Sequence, residues 1–352
     1  MYEVKFGLTG NPFGMTPDPE FFFQSSSHRE ALAALSYGVE MRRGFMTLVG
    51  EVGTGKTTLI NTLLGRLERS TCTIMVTHTT VDREELLRAI IHKMHRLDSV
   101  RNEGGRKDRG GLSNVRQLAD MSRIELINEF SSFVNGEFMA FRPPPLLLID
   151  EAQNLAPDVL EEIRLLTNLE GPKSKLVQVI LSGQPELESL LGRNDLRQLH
   201  QRIAVRAALK PLSCAETEEY VVFRLNQAGA EGREIFTLDA VQAIWAASGG
   251  VPRTINVLCD YALVNALGTG ADQVTWALVD EAIQDVLSVG EELPHPAMSV
   301  GDRWDDEATS PSGPGSFHWA EEPLATKPIR SGRRAPGHPQ YDRPGSRVPA
   351  AG

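Results

Sequence analysis

A chain of 352 residues is long enough for one large α/β domain with a helical appendage, or for two modest domains. Its 36 Lys and Arg against 46 Asp and Glu leave a formal charge of −10, so the overall field repels nucleic acid and anionic lipid, and any contact with DNA has to be local. Three widely spaced cysteines, Cys72, Cys214 and Cys259, argue against a disulfide framework or a zinc site; with no leader pattern at the start and no window of ~18 uninterrupted apolar residues, the chain reads as soluble and cytoplasmic, at most peripheral to the inner membrane.

From Met1 to about Phe23 the sequence is rich in Phe, Pro and Gly, with N-P-F and T-P-D-P turn signals and no regular period, which predicts a segment that wraps over another part. Ser27, His28, Arg29 and Glu30 match a capping box, opening a helix with Leu32, Leu35 and Val39 on one face and Gly44 past its end. Residues 45–49 form an apolar run, followed by a glycine-rich loop and a helical pattern over 57–67, a strand, phosphate loop and helix unit. A strand at 72–77, a helix at 83–97, a charged Gly-rich loop at 99–111 and a helical pattern at 115–134 come next. The runs at 146–149 and 176–181 are continuously apolar, as in central strands of a parallel sheet covered on both faces, and 158–169 between them has the period of an amphipathic helix. After Pro211 strand signals stop. Four helical patterns, at 217–228, 238–247, 254–267 and 276–286, predict a compact helical region. Beyond about Glu291 aliphatics thin out among Pro, Gly, Ser and Arg, and the tail to Gly352 is expected to be disordered.

Gly50, Glu51, Val52, Gly53, Thr54, Gly55, Lys56 and Thr57 satisfy G-x-x-x-x-G-K-[ST], with Thr58 following, after a strand and opening a helix. Glycines there let backbone N–H groups turn inward around the phosphates of ATP, at the positive end of a helix dipole. Lys56 is expected to neutralise the β/γ oxygens and Thr57 to ligate Mg²⁺. Asp150, at the end of the 146–149 strand, is the second candidate for the magnesium, and Glu151 is placed to orient and deprotonate the attacking water. Charge building on the γ-phosphoryl oxygens calls for arginine, and Arg197, Arg202, Arg206 and Arg253 are the candidates. His78, His92 and His95 lack the further ligand that a metal site needs.

Six blocks in order resemble the ExeA/GspA-like branch of AAA+ ATPases over about 1–287: MYEVKFGL with NPFGMTPDPEFFF, SSSHREALAALSYGVEMRRGFMTLVGEVGTGKTTL, LLLIDEAQNL, ILSGQPEL, LRQLHQRIAVRAAL and GGVPRTINVLCDYAL. The resemblance implies a P-loop AAA+ α/β fold with a parallel five-stranded sheet. With the patterning above, the chain is expected to divide into an N-terminal wrap with the first helix of the ATPase module (1–44), the ATPase core (45–212), a helical lid (213–290) and the tail (291–352). The resemblance also implies a sensor near Ser182 or Gln184 that feels the γ-phosphate. Arg202 would be presented to a neighbouring subunit, with Arg197 and Arg206 as reserves, and Arg253 would reach back from the lid. The opening segment would lie near the adenine. A homo-oligomer that turns over ATP for an envelope secretion or polysaccharide-export system is the expected role; a DNA-associated regulator resembling transposition ATPases, or a scaffold with little turnover, are the alternatives. The basic loop holding Arg101, Arg106, Lys107 and Arg109 is the candidate DNA contact. Secretion members of full length continue into a membrane helix and a peptidoglycan-binding domain, so cell-wall binding is not expected of this chain.

Overall fold

The structure is a computed structural model and describes residues 1–16, 18–67, 71–77, 79–102, 118–135, 144–167 and 177–288. The tail from 291, His78, Arg106, Lys107, Arg109 and the side chain of Arg101 lie outside the described residues.

Five strands, β1 (Phe45–Val49), β2 (Thr73–Val76), β3 (Leu146–Ile149), β4 (Gln178–Gly183) and β5 (Ile203–Ala208), form one sheet in the order β2-β3-β4-β1-β5. Every pairing is parallel, with Phe45 opposite both Val179 and Ile203, and Leu146 opposite both Thr73 and Gln178. The expected five-stranded parallel sheet is therefore present. Its fifth member was not read as a strand: Ile203–Ala208 alternates between exposed and partly buried residues because it is an edge, paired only with β1.

Strand residues alternate between the two faces, which explains why continuous apolar runs suit the middle of this sheet. Phe45, Val49, Leu147, Ile149, Val179 and Leu181 enter one apolar cluster with helices α4 (Arg83–Asn102), α5 (Arg123–Asn135) and α6 (Pro157–Leu166). Met46, Leu48, Leu146, Leu148 and Ile180 enter another, with α2 (Ser26–Glu40) and α3 (Lys56–Arg66). Between β4 and β5 run the short helices α7 (Glu186–Leu191) and α8 (Arg197–His200).

The α2 cap differs from expectation. Ser25, not Ser27, is the N-cap, accepting the His28 N–H, and Ser27 lies inside the first turn. A capping box does open α9 (Cys214–Gln227): Ser213 and Glu216 exchange side chain and backbone bonds there. α9 packs with α10 (Leu238–Ser248), α11 (Pro252–Thr269) and α12 (Trp276–Ser288) around a third cluster. The first residues join this cluster through Tyr2, Phe6, Leu8 and Phe13, and Tyr2–Lys5 form a single helical turn, α1, where no period was visible. Arg233 donates to the carbonyls of Phe6 and Gly7 at 2.6 and 2.8 Å, and Thr9 N–H to Ala228 O at 2.7 Å, fixing the segment on the helices. No helix among the described residues is long and apolar enough to cross a membrane.

Candidate active site

Parallel strands end on the same side, so the loops after β1, β3 and β4, neighbours in the sheet, converge. The loop after β1 turns inward on two glycines in the left-handed region, Gly53 at φ 82° and Gly55 at φ 93°. Gly55 is also the N-cap of α3 and Lys56 its first residue. The Lys56 ammonium donates to the loop's own carbonyls, Gly50 O at 2.7 Å and Glu51 O at 3.1 Å. Burial pulls its pKa below the ordinary lysine value, while Glu151, Asp150, Glu51 and Glu186 oppose the shift. Thr54 is fully buried and donates its hydroxyl to Glu51 O at 2.8 Å; Glu51, Val52 and Thr57 face solvent, and Thr58 is half-buried.

After β3, the buried Asp150 accepts from Ser182 Oγ at 2.8 Å through Oδ1, and its Oδ2 lies 3.5 Å from Thr57 Oγ1. Glu151 sits at φ 51°, a left-handed conformation that an L-residue holds only when its surroundings fix it. Its N–H reaches Asp150 Oδ1 at 3.1 Å, and its Oε2 accepts from Gln153 Nε2 at 2.7 Å and Gln184 Nε2 at 3.2 Å. The bond from Gln153 is the largest influence lowering the Glu151 pKa; burial opposes it, and Gln184 and Lys56 add to the lowering. Gln153 also accepts the Gln184 N–H at 3.1 Å. Of the two residues expected near a γ-phosphate, Ser182 thus holds Asp150 and Gln184 holds Glu151.

A cavity of about 420 Å³ runs from this loop to the opening segment and the helices, and its walls include Phe21, Phe23, Tyr220, Arg224 and Asn256. Arg224 ties the segment down, donating to Pro12 O at 2.6 Å and Gly14 O at 3.3 Å, with its guanidinium over the Phe21 ring. Tyr220 accepts from Arg224 at 2.9 Å and donates to Asn256 at 2.7 Å.

Arg253 is brought to the site and Arg202 is not. Pro252 starts α11, and the Arg253 N–H reaches Gly53 O at 3.3 Å, which sets the exposed Arg253 side chain beside the loop. Arg202 precedes β5, whose first residue pairs with Phe45 at the start of β1, whereas the phosphate loop follows the end of β1. One strand length, roughly 15 Å, separates those levels. Arg197 and Arg206 are exposed in the same region, Arg206 donating to His200 O at 3.3 Å. Away from the site, His95 on α4 pairs with Glu129 at 2.9 Å.

Sequence reasoning missed His28, Gln153, Tyr220, Arg224 and Asn256. The signal for Gln153 was its place in DEAQ, two residues past Glu151; for the Tyr220 and Arg224 pair it was helical spacing of four with an arginine on an otherwise apolar face.

The sheet order and the loops at its end together define the P-loop fold of the AAA+ type. The AAA domain family matches residues 39–191. Cdc6p from Pyrobaculum aerophilum has the same fold at TM-score 0.57 and 18% identity, covering 80% of this chain and 74% of that one. The ORC2 protein of Aeropyrum pernix does so at TM-score 0.53 and 15% identity, over 78% of this chain and 71% of that one. At these identities the likeness speaks for the fold alone.

General secretion pathway protein A of Aeromonas hydrophila is 39% identical over 292 residues, 83% of this chain and 50% of that protein. The chain is thus a relative of that protein, as the six blocks implied, and spans half its length.

Proposed function

We propose that this chain binds MgATP at residues 50–58 and hydrolyses ATP to ADP and phosphate. The turnover drives a change of conformation or assembly that serves a secretion or polysaccharide-export system of the cell envelope. The observation that carries the chemistry is the meeting of Lys56 and Thr57 after β1 with Asp150 and Glu151 after β3, the two strands that flank β4, beside a loop that turns on two left-handed glycines. The envelope role rests on the likeness to General secretion pathway protein A.

The phosphates of ATP offer Lys56 a better partner than the carbonyls it now bonds, because a charge-assisted bond replaces neutral acceptors. The Thr57 hydroxyl and the Asp150 carboxylate facing it are hard oxygen donors of the kind Mg²⁺ takes in small number, with waters and substrate phosphates completing its shell. Bound there, Mg²⁺ would neutralise charge on the phosphate oxygens. Ser182 keeps the Asp150 carboxylate oriented. Glu151, held ionised by Gln153 and Gln184, accepts the proton of the attacking water once it exchanges one of those bonds for that water.

In this reading 45–212 is the ATPase core, 213–290 the lid and 1–44 the wrap and first core helix, with the segment 14–23 against the adenine. Arg253 contacts the nucleotide of its own chain. Arg202, at the far level of the sheet, acts on the nucleotide of a neighbouring copy, which makes the working form a homo-oligomer.

The test is steady-state ATP hydrolysis against protein concentration for the wild type, Glu151→Gln and Arg202→Ala, with and without double-stranded DNA. Turnover that needs Glu151, rises per subunit with assembly and loses that rise in Arg202→Ala supports the reading. A flat rate per subunit across assembly overturns the role of Arg202, stimulation by DNA overturns the envelope assignment, and no turnover in any condition overturns the ATPase.

A further inference from the structure

His28 sits in the first turn of α2 with its ring buried between that helix and the phosphate loop. Its Nε2 lies 3.0 Å from Thr54 O and its Nδ1 2.6 Å from Ser25 Oγ. Ser25 Oγ lies 3.2 Å from Ser27 Oγ, and Ser27 Oγ accepts the Lys210 N–H at 3.3 Å. A carbonyl can only accept, so Nε2–H donates to Thr54 O; with the ring neutral, Nδ1 then accepts from Ser25, Ser25 accepts from Ser27, and Ser27 accepts the Lys210 N–H. Burial lowers the His28 pKa, against smaller opposing effects from the Thr54 bond and Glu216, in keeping with a neutral ring carrying its proton on Nε2. Phe22 closes the ring edge-on at 5.4 Å.

Lys210 belongs to the connector from β5 to α9, which is pinned on either side: Leu209 N–H donates to Val49 O, and Leu212 N–H to Gly250 O. A second bridge runs parallel to the first, since Glu216 accepts from Ser26 N–H and Oγ with one oxygen and from Ser213 N–H and Oγ with the other. The start of α2 therefore touches the phosphate loop on one side and the connector on the other.

We propose that His28 is a positioning residue that holds the phosphate loop through Thr54 O and couples the loop's occupancy to the connector 209–213 through Ser25 and Ser27. This inference rests on the ATPase reading and adds the route by which a bound nucleotide reaches the helical region. Among the described residues, Thr54 O is the one carbonyl of the turn 50–55 that is bonded to a side chain from outside residues 50–56, since Gly50 O and Glu51 O are taken by Lys56 and Thr54. The contact is also close: a Cβ on Gly55 would stand 3.0 Å from His28 Nε2, so the ring leaves the loop no room for a side chain there.

The experiment measures affinity for a mant-labelled, non-hydrolysable ATP analogue with Mg²⁺, and amide hydrogen exchange over 209–213 with and without it. Wild type, Lys56→Ala, His28→Leu, His28→Gln and Ser27→Ala are compared, each checked by its thermal transition. Loss of the Nε2–H bond in His28→Leu is expected to weaken binding about tenfold, and His28→Gln, whose amide N–H still donates to Thr54 O, to recover most of it. Ser27→Ala, remote from the nucleotide, is expected to keep affinity within about threefold yet lose the slowing of connector exchange that the analogue produces in the wild type. If His28→Leu does not fold, His28→Gln and Ser27→Ala carry the test. Binding that Lys56→Ala loses but His28→Leu keeps overturns the inference and leaves the ATPase reading intact. Connector exchange that responds equally in wild type and Ser27→Ala does the same, while no binding by the wild type overturns both.

Discussion

Glu216→Gln probes the second bridge by acid titration. Glu216 Oε1 accepts from Ser26 N–H and Oγ at 2.9 and 2.7 Å, and Oε2 from Ser213 N–H and Oγ at 3.1 and 3.3 Å. Burial is the largest single influence on its pKa and raises it, but the bonds from Ser26 and Ser213 together outweigh it and bring the value from 4.5 to about 2. A carboxylate whose folded pKa is depressed stabilises the fold above its unfolded pKa, and that stability drains as pH falls from 4.5 toward 2. The shift sets an upper limit of roughly 3 kcal/mol, which access to solvent reduces to about 1–2 kcal/mol. Glutamine presents one oxygen, so its NH₂ would confront one of the two N–H groups and leave it unpaired. At pH 7 the variant is expected to be about 1–2 kcal/mol less stable in urea unfolding, the gap closing as pH falls through that window. A gap that stays constant between neutral pH and the acid end would refute the assignment of the charge to this bridge.

Gly53→Ala places a Cβ 2.6 Å from Arg253 Cβ at a φ of 82°, so both strain of about 1–2 kcal/mol and displacement of α11 are expected; weaker nucleotide binding with a lower thermal transition checks it, and a neutral alanine sinks it. Gln153→Ala removes the bond that most lowers the Glu151 pKa, so the acid limb of the kcat/KM pH profile should move to higher pH; an unmoved limb would show that Glu151 is not the group titrating. Ser182→Ala deletes a buried charge-assisted bond at 2.8 Å to Asp150 and should cost about 1.5–3 kcal/mol of unfolding free energy and raise the Mg²⁺ needed for half-maximal turnover; unchanged Mg²⁺ dependence would argue against Asp150 near the metal.

The central strands were legible because burial on both faces writes itself as uninterrupted apolar residues, as in Leu146–Ile149. The edge strand Ile203–Ala208 was not, since one-sided pairing leaves Ala204 and Arg206 in solvent and the run loses its apolar signature. The phosphate loop and the Asp150 and Glu151 pair were legible from local spacing alone. Caps were ambiguous for a different reason. Three consecutive serines offer three registers, and Ser27 with Glu30 satisfies the local pattern, but Glu216 supplies the distant acceptor to Ser26 that α2 uses instead. Partnerships of this kind join residues 190 positions apart and leave no local trace. The same holds for His28, which reads locally as an ordinary first-turn residue and whose ring partner Thr54 O lies 26 positions away.

The contacts that hold each part together and those that join the parts differ in kind, and the difference says where movement costs least. Within the sheet layers and within the helical cluster, the interior is apolar and nearly solvent-free: Leu35, Met46 and Leu63 in one case, Ile244, Leu258 and Leu263 in the other. Sliding such interiors would open cavities costing several kcal/mol per large side chain. The seam instead includes discrete hydrogen bonds: Arg253 N–H to Gly53 O, Leu212 N–H to Gly250 O, Trp245 Nε1 to Leu212 O, and the Glu216 bridge. Each is worth about 1 kcal/mol net and can be exchanged for water or for a ligand oxygen without loss of packing. Two of the seam's anchors, Gly53 and Leu212, border the 420 Å³ cavity itself. A ligand filling that cavity would therefore meet these exchangeable hydrogen bonds rather than either apolar core.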